Sequence, residues 1–203
     1  MKCLLSLVIF FITITTFAQN PCLEAMKCRR KLVINKNHLL YYSNYEISKL
    51  NNSISKAVIV VHGTLRDGDN YFNNMIKIAT DNKKINETLI LSPHFKRVDD
   101  LKEDKELFWG RRWFQKWKYG YKSQDEDNIS SFDVMDILIK KLKASGIKSV
   151  VITGHSTGGQ YTQRYAVGTQ IDKEVGITFA PSNPSSYMFL HDDRYQFLNS
   201  NFT

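Results

Sequence analysis

The sequence predicts an α/β domain with a mainly parallel sheet, because short buried-strand runs alternate with helical segments along the chain. Residues 57–61 and 150–153 are apolar or β-branched throughout, which is typical of strands covered on both faces. Each run ends abruptly in a glycine-containing turn, at residues 62–64 and 154–158 respectively. Polar turns directly after buried strands predict a functional edge at the carboxyl ends of the strands.

The remaining elements follow the same alternation. From the N-terminal side they are an antiparallel pair at 31–34 and 39–42, the central strand at 57–61, a helix at 70–79, a strand at 89–93, a helix from 131, the strand at 150–153 with its helix, and a buried strand at 175–181. Ser130 is the expected N-cap of the second helix, and Gly146 ends it. Residues 94–127 form an irregular excursion that is both charged and aromatic.

The N-terminus indicates export. Lys2 is followed by an apolar run at residues 3–14, which is too short to span a bilayer, and small residues suited to signal peptidase come next. We therefore expect a signal peptide at residues 1–18, a secreted or periplasmic protein, and one domain at 19–203; a membrane-anchoring helix is the alternative for the same segment. After export, Cys22 and Cys28 either form a disulfide or remain free or differently paired, because spacing alone does not decide.

The charge and the histidine pattern limit the expected partners. The formal net charge is +8, and a basic surface is compatible with nucleic acid, anionic lipid or acidic polysaccharide. No nucleic-acid-binding motif occurs, so the charge is interpreted as solvation, with cell-surface adhesion as an alternative. The five histidines are scattered without zinc-ligand spacing, and no metal site is expected.

Ser156 lies in a Gly-x-Ser-x-Gly pattern between a predicted strand and a predicted helix. This arrangement is a nucleophile elbow, in which the chain turns directly from strand to helix and leaves the serine at the tip. Glycine is needed at Gly154 and Gly158 because a Cβ at either position would crowd the turn. The helix that begins at Thr157 directs its free N–H groups toward whatever bonds to Ser156. The pattern therefore predicts a nucleophile for acyl transfer.

Acyl transfer also needs two N–H donors for the negative oxygen of the tetrahedral intermediate. Thr157 would supply one donor, and Thr64, in the turn after the earlier strand, would supply the other. The Thr64 hydroxyl is expected to add a third hydrogen bond. His62 and Gly63 shape the same turn and are candidate substrate contacts; the alternative is that they only terminate the strand.

Four motifs carry a resemblance to a known family: HGTLRDGDNYF (62–72), ISSFDVMDILIKKL (129–142), GHSTGGQYTQRYA (154–166) and APSNPSSYMFL (180–190). Over residues 31–192 the chain resembles the α/β-hydrolase superfamily and, more narrowly, its exported serine hydrolases. The resemblance implies ester or related acyl hydrolysis without a cofactor, with Ser156 as nucleophile. It places the oxyanion hole at Thr64 and Thr157, and the substrate would be a small-molecule, lipid or polymer ester.

The chain departs from that family at its C-terminal end. The acid and the histidine of the triad lie on loops after later strands, whereas this sequence ends one short segment beyond the strand that follows the nucleophile helix. We therefore expect an α/β-hydrolase-type sheet whose C-terminal strands are missing. His191 is the one histidine after Ser156 and is the candidate base, with a plain surface histidine as the alternative.

Two further candidate substrate contacts come from other segments. Trp109 and Trp113 belong to an aromatic and basic stretch, residues 108–121, that forms either a substrate-entry wall, an interfacial patch for lipid, or an insertion whose aromatics pack on the domain. Asn183 either lines the acyl pocket or belongs to a simple turn.

The functional prediction is thus a serine esterase that forms an acyl-enzyme on Ser156. Two alternatives are a catalytically inactive, truncated hydrolase remnant or binding protein, and a basic adhesion module that uses the aromatic and basic stretch.

Overall fold

A six-stranded sheet forms the centre of the computed structural model, which describes residues 19–111, 114–171 and 176–188. In chain order the strands are β1 (Arg29–Val33), β2 (His38–Ser43), β3 (Lys56–Val61), β4 (Thr88–Pro93), β5 (Ser149–His155) and β6 (Gly176–Ser182). Their spatial order is β1-β2-β4-β3-β5-β6. The pairs β1–β2 and β2–β4 are antiparallel, and the other three pairs are parallel. The predicted mainly parallel α/β sheet is confirmed.

Three α-helices connect the parallel strands: α1 (Gly68–Asp81), α2 (Ser131–Ala144) and α3 (Thr157–Gly168). Helix α2 begins where predicted, because the Ser130 hydroxyl accepts the N–H of Phe132 as an N-cap. Gly146 follows its end with φ 90°, the left-handed conformation that glycine adopts at little cost. Helix α1 is two residues longer at each end than predicted, since its first and last residues carry no apolar signal.

The middle of the sheet fixes the position of the candidate site. Ile59 of β3, Ile90 of β4 and Ile152 of β5 are fully buried, as expected for parallel strands covered on both faces. In the register of β3 and β5, Val61 lies opposite Gly154. The turns that follow these two strands therefore leave the sheet side by side at its carboxyl edge.

The excursion between β4 and α2 has a well-packed aromatic core, although the sequence suggested an irregular segment. Trp109 and Trp117 are fully buried, and Trp117 stacks on Phe95 with 5.4 Å between ring centroids. The indole Nε1 of Trp109 donates to the carbonyl of Ile129 at 3.1 Å. These rings pack against Tyr161 of α3, 5.1 Å from Phe95, so the excursion supports the helix that follows Ser156.

Strand β6 differs from its prediction. The sequence predicted a buried strand at 175–181, but Thr178, Ala180 and Pro181 are exposed. Among the described residues, β6 pairs only with β5, and its other edge has no strand beside it. Ile177 and Phe179 are partly buried against the core, whereas no described element covers Thr178, Ala180 and Pro181.

The N-terminal segment is attached to the domain by a disulfide and a small second core. Cys22 and Cys28 form the disulfide, with 5.6 Å between Cα atoms, which is one of the two predicted alternatives. Cys28 is fully buried and packs in a cluster with Phe72 and Ile76 of α1. Residues 1–18 lie outside the described residues, so the signal peptide stays a prediction. None of the helices within the described ranges combines the length and apolar content needed to cross a membrane.

Candidate active site

Ser156 lies between β5 and α3 in a backbone conformation that L-residues rarely adopt, with φ 56° and ψ −117°. Two hydrogen bonds fix this conformation: its N–H donates to the carbonyl of Ser182 at 3.1 Å, and its carbonyl accepts the N–H of Gln160 at 2.9 Å. Ser156 is partly exposed. The chain therefore makes the sharp strand-to-helix turn that the Gly-x-Ser-x-Gly pattern predicts and leaves the serine accessible.

Glycines allow this turn to pack directly against the end of β3. A Cβ on Gly158 would lie 2.2 Å from the carbonyl oxygen of Val61, and a Cβ on Gly154 would lie 2.7 Å from the same atom. A Cβ on Gly159 would lie 2.5 Å from the carbonyl oxygen of Ser182. These neighbours are backbone atoms, so no side-chain movement would relieve the clash. The Gly-x-Ser-x-Gly pattern predicts this role for Gly154 and Gly158 but not for Gly159.

The turn after β3 lies against the same elbow. A Cβ on Gly63 would be 3.8 Å from the carbonyl oxygen of His155, which is ordinary van der Waals contact. Among the described residues, no acceptor bonds to the backbone N–H of Thr64 or of Thr157. Thr157 is the first residue of α3, where the N–H has no partner within the helix. The unpaired amide of Thr157 thus directly follows Ser156, and the unpaired amide of Thr64 lies in the turn that contacts His155; their role as an oxyanion hole stays a prediction.

Thr64 is held in place by side chains that the sequence analysis did not single out. The amide nitrogen Nε2 of Gln115 donates to the Thr64 carbonyl at 3.1 Å and also to its hydroxyl. Arg66 donates to the same carbonyl at 2.5 Å and forms an ion pair with Asp100. No local pattern signals the contact of Gln115, because 51 residues separate it from Thr64. A third oxyanion hydrogen bond from the Thr64 hydroxyl stays a prediction.

His62 was predicted to contact the substrate, but the structure places it inside the protein. Its ring is fully buried, with Nδ1 3.0 Å from the carbonyl of Gly63 and Nε2 accepting the N–H of Phe95 at 3.0 Å. The ring also packs edge-on against Trp117, with centroids 4.8 Å apart. Burial lowers the pKa of His62 to about 4, so the ring is neutral near pH 7. The predicted substrate contact of His62 is therefore wrong: both ring nitrogens are bonded within the protein, and the ring supports the turn.

The other predicted substrate contacts have different outcomes. Trp109 is fully buried beneath the excursion and bonded to Ile129, so its predicted substrate contact is also wrong. Gly63 is buried within the turn, whereas Asn183 is exposed with φ 40° and directly follows Ser182, the residue that bonds to the Ser156 N–H. The predictions for Trp113 and His191 fall outside the described residues.

The described residues do not supply a base for Ser156. Among them, no histidine nitrogen and no carboxylate is hydrogen-bonded to the Ser156 hydroxyl. The neighbouring His155 is exposed. The described part of the chain thus places the turns that carry the candidate nucleophile and the candidate oxyanion donors at the same edge of the sheet, while their catalytic roles and the candidate base His191 stay predictions.

One group of residues in the described ranges has ligand atoms close enough to hold a metal ion, namely His38, Glu103 and Glu106. Both of its carboxylates already bond to cations. Glu106 accepts from Lys96 at 2.7 Å, in a pair that is almost fully buried, and Glu103 accepts from Arg29 at 2.8 Å. A divalent cation would compete with these side chains, so we interpret the group as an ion-pair cluster that joins the β1–β2 hairpin to the excursion.

The topology and the elbow together decide the fold. A strained serine follows a central parallel strand and begins a helix, and the turn after the neighbouring strand β3 leaves the sheet at the same edge. The chain has the α/β-hydrolase fold.

Three solved structures to which the chain is similar have low sequence identity to it. A poly(3-hydroxybutyrate) depolymerase from Bordetella parapertussis is 19% identical, with 70% of this chain and 47% of that chain covered and a TM-score of 0.47. A poly(aspartic acid) hydrolase from Sphingomonas sp. KT-1 is 19% identical, with 68% and 50% covered and a TM-score of 0.44. A soluble variant of monoglyceride lipase from Saccharomyces cerevisiae is 18% identical, with 84% and 47% covered and a TM-score of 0.43.

The chain spans about half the length of these three solved structures. Comparison with protein-family models gives no match, and neither does comparison with curated protein sequences. The α/β-hydrolase fold is therefore assigned from the arrangement of this chain's own strands and its elbow.

Proposed function

We propose that the protein is a serine hydrolase that cleaves carboxylic esters through an acyl-enzyme on Ser156. The observation that carries the proposal is the partly exposed Ser156 at a positive-φ turn, with the unpaired amide of Thr157 next to it and the unpaired amide of Thr64 in the turn after the neighbouring strand. A backbone conformation of this kind costs of order 1–3 kcal/mol and persists where the surrounding structure enforces it, often at active sites. The substrate would be a small-molecule, lipid or polymer ester.

In the proposed reaction, the Ser156 oxygen attacks the ester carbonyl carbon while a base takes the hydroxyl proton. The carbonyl oxygen becomes an oxyanion that accepts hydrogen bonds from the N–H groups of Thr64 and Thr157. Each such donor contributes roughly 3–4 kcal/mol to the barrier reduction. The intermediate then expels the alcohol, which receives the proton from the base, and water hydrolyses the acyl-serine. His191 is the candidate base.

A second candidate function is a binding protein that keeps the hydrolase fold without turnover. The observation that favours it is that no base contacts the Ser156 hydroxyl within the described residues. A serine without a base stays protonated near neutral pH and is a weak nucleophile.

A fluorophosphonate probe, which reacts covalently with activated serines, distinguishes the two functions. We expect the folded protein to be labelled, Ser156→Ala to lose all labelling, and Ser145→Ala, a control at the exposed end of α2, to keep it. If His191 is the base, His191→Gln slows labelling by at least about 100-fold. Folded protein that stays unlabelled would favour the binding protein and contradict the hydrolase.

We also propose that the protein is exported. The support is the apolar segment at residues 3–14 together with the Cys22–Cys28 disulfide, since disulfides persist mainly in oxidising compartments.

A further inference from the structure

Two large apolar side chains are exposed beside the candidate oxyanion turn. Leu65 is 76% exposed and Phe114 is 72% exposed. In the sequence, Leu65 follows Thr64 and Phe114 precedes Gln115. The side chain of Gln115 donates hydrogen bonds to Thr64 and so joins the two segments. Leu65 and Phe114, which we call the apolar rim, are thus each adjacent in sequence to a residue of the Gln115–Thr64 contact, next to the candidate oxyanion turn.

The segment that carries Phe114 is strongly basic. Residues 107–124 contain five lysines and arginines and no aspartate or glutamate. Within the described part of the chain, none of the following forms an ion pair: Arg111, Lys116, Lys118 and Lys122. The ion pairs of the described residues lie elsewhere, for example in the cluster of Lys96 and Glu106. The positive charge of these four residues is therefore available to an external anionic partner.

Amphipathic aromatic side chains accompany these cations. Tyr119 and Tyr121 are both about half exposed, and their rings lie 5.9 Å apart. Exposed Phe and Leu side chains in or next to a segment rich in Tyr, Lys and Arg are typical of surfaces that enter the headgroup region of a bilayer, where apolar groups insert and cations attract anionic lipids. An acidic protein partner would use the same cations, but it would not account for the large exposed apolar side chains of Leu65 and Phe114.

We propose that the apolar rim and its basic segment dock on an anionic lipid surface, and so bring the Ser156 site to ester substrates held in that surface. The choice of lipid esters as substrate class rests on the proposed function. The docking itself needs no catalysis, so the two are tested separately.

The test is co-sedimentation with vesicles of phosphatidylcholine alone and of phosphatidylcholine mixed with phosphatidylglycerol. We expect binding to the mixed vesicles only, weakened by salt. Leu65→Ser and Phe114→Ser should each weaken binding about tenfold, and the triple change Lys116→Gln, Lys118→Gln and Lys122→Gln should remove the preference for the anionic lipid. The matched control is Met26→Ser. Met26 is an apolar residue that is 78% exposed and is distant in sequence from the apolar rim, so this variant should bind normally.

Three results would overturn the inference: no binding to the mixed vesicles, equal binding to neutral and mixed vesicles, or full binding by Leu65→Ser and Phe114→Ser. Binding to polyglutamate without binding to vesicles would assign the surface to an acidic protein and would overturn it as well. Ser156→Ala protein is measured in parallel and should dock normally. If fluorophosphonate labels the protein but the protein does not bind vesicles, only the docking proposal is refuted. If the protein binds vesicles but fluorophosphonate does not label it, only the proposed function is refuted.

Discussion

Replacing Gly158 with alanine is expected to destabilise the protein by about 3 kcal/mol and to abolish fluorophosphonate labelling. The added Cβ would lie 2.2 Å from the carbonyl oxygen of Val61 and 2.7 Å from that of His62. Both are backbone atoms in or directly after β3, so the elbow and the neighbouring turn must move apart. That movement separates Ser156 from the amide of Thr64. Urea unfolding measures the first effect, and labelling at native conditions measures the second.

Gly176→Ala is the matched control for this prediction. The nearest atom to a Cβ on Gly176 is the carbonyl oxygen of Lys148 at 3.8 Å, which is ordinary contact. Its unfolding free energy should stay within about 0.5 kcal/mol of that of the unchanged protein. If Gly158→Ala is as stable and as readily labelled as Gly176→Ala, the elbow is not packed against β3 in the way described.

Lowering the pH from 6.5 toward 4 is expected to reduce the unfolding free energy by about 3 kcal/mol through His62 alone. Burial lowers the pKa of this histidine to about 4, whereas its ordinary value is 6.5. Between these values the unfolded chain binds a proton that the folded protein does not, so protonation favours unfolding. The stabilisation is complete above pH 6.5 and is lost as the pH falls toward 4. Burial lowers the pKa of His94 to about 3, which acts in the same direction.

Urea unfolding at a series of pH values measures this dependence. The slope between pH 6.5 and pH 5, above the range in which carboxylates titrate, reports mainly on the buried histidines. We expect His62→Gln to flatten the slope and the exposed-site control His155→Gln to leave it unchanged. An unchanged slope in His62→Gln would mean that the ring is not buried in its neutral form.

The strand-to-helix turn at Ser156 could be predicted from the sequence because its determinants are local. Gly154, Ser156 and Gly158 lie within five residues, directly after an apolar run, and glycine is required wherever a Cβ would meet backbone. The turn at Thr64 could be predicted for a related reason. Two adjacent parallel strands that end at the same edge of a sheet place their following turns side by side, so recognising both strands was sufficient.

The burial of the aromatic residues could not be predicted, because it depends on packing between distant segments. Trp109 is buried against Phe95 and bonded to Ile129, and neither contact leaves a periodic signal in a segment without regular structure. The Gln115–Thr64 contact is hidden for the same reason. Strand β6 shows the opposite error: its apolar pattern indicates burial, but burial also requires an element beside it, which the strand's own sequence does not encode.

The most direct test of the account is an experimental structure of the protein after reaction with a fluorophosphonate. We expect the phosphorus to be bonded to the Ser156 oxygen, with the phosphonyl oxygen about 3 Å from the backbone nitrogens of both Thr64 and Thr157. A modified serine whose phosphonyl oxygen faces solvent, or amides at positions 64 and 157 that point away from it, would contradict the proposed active site.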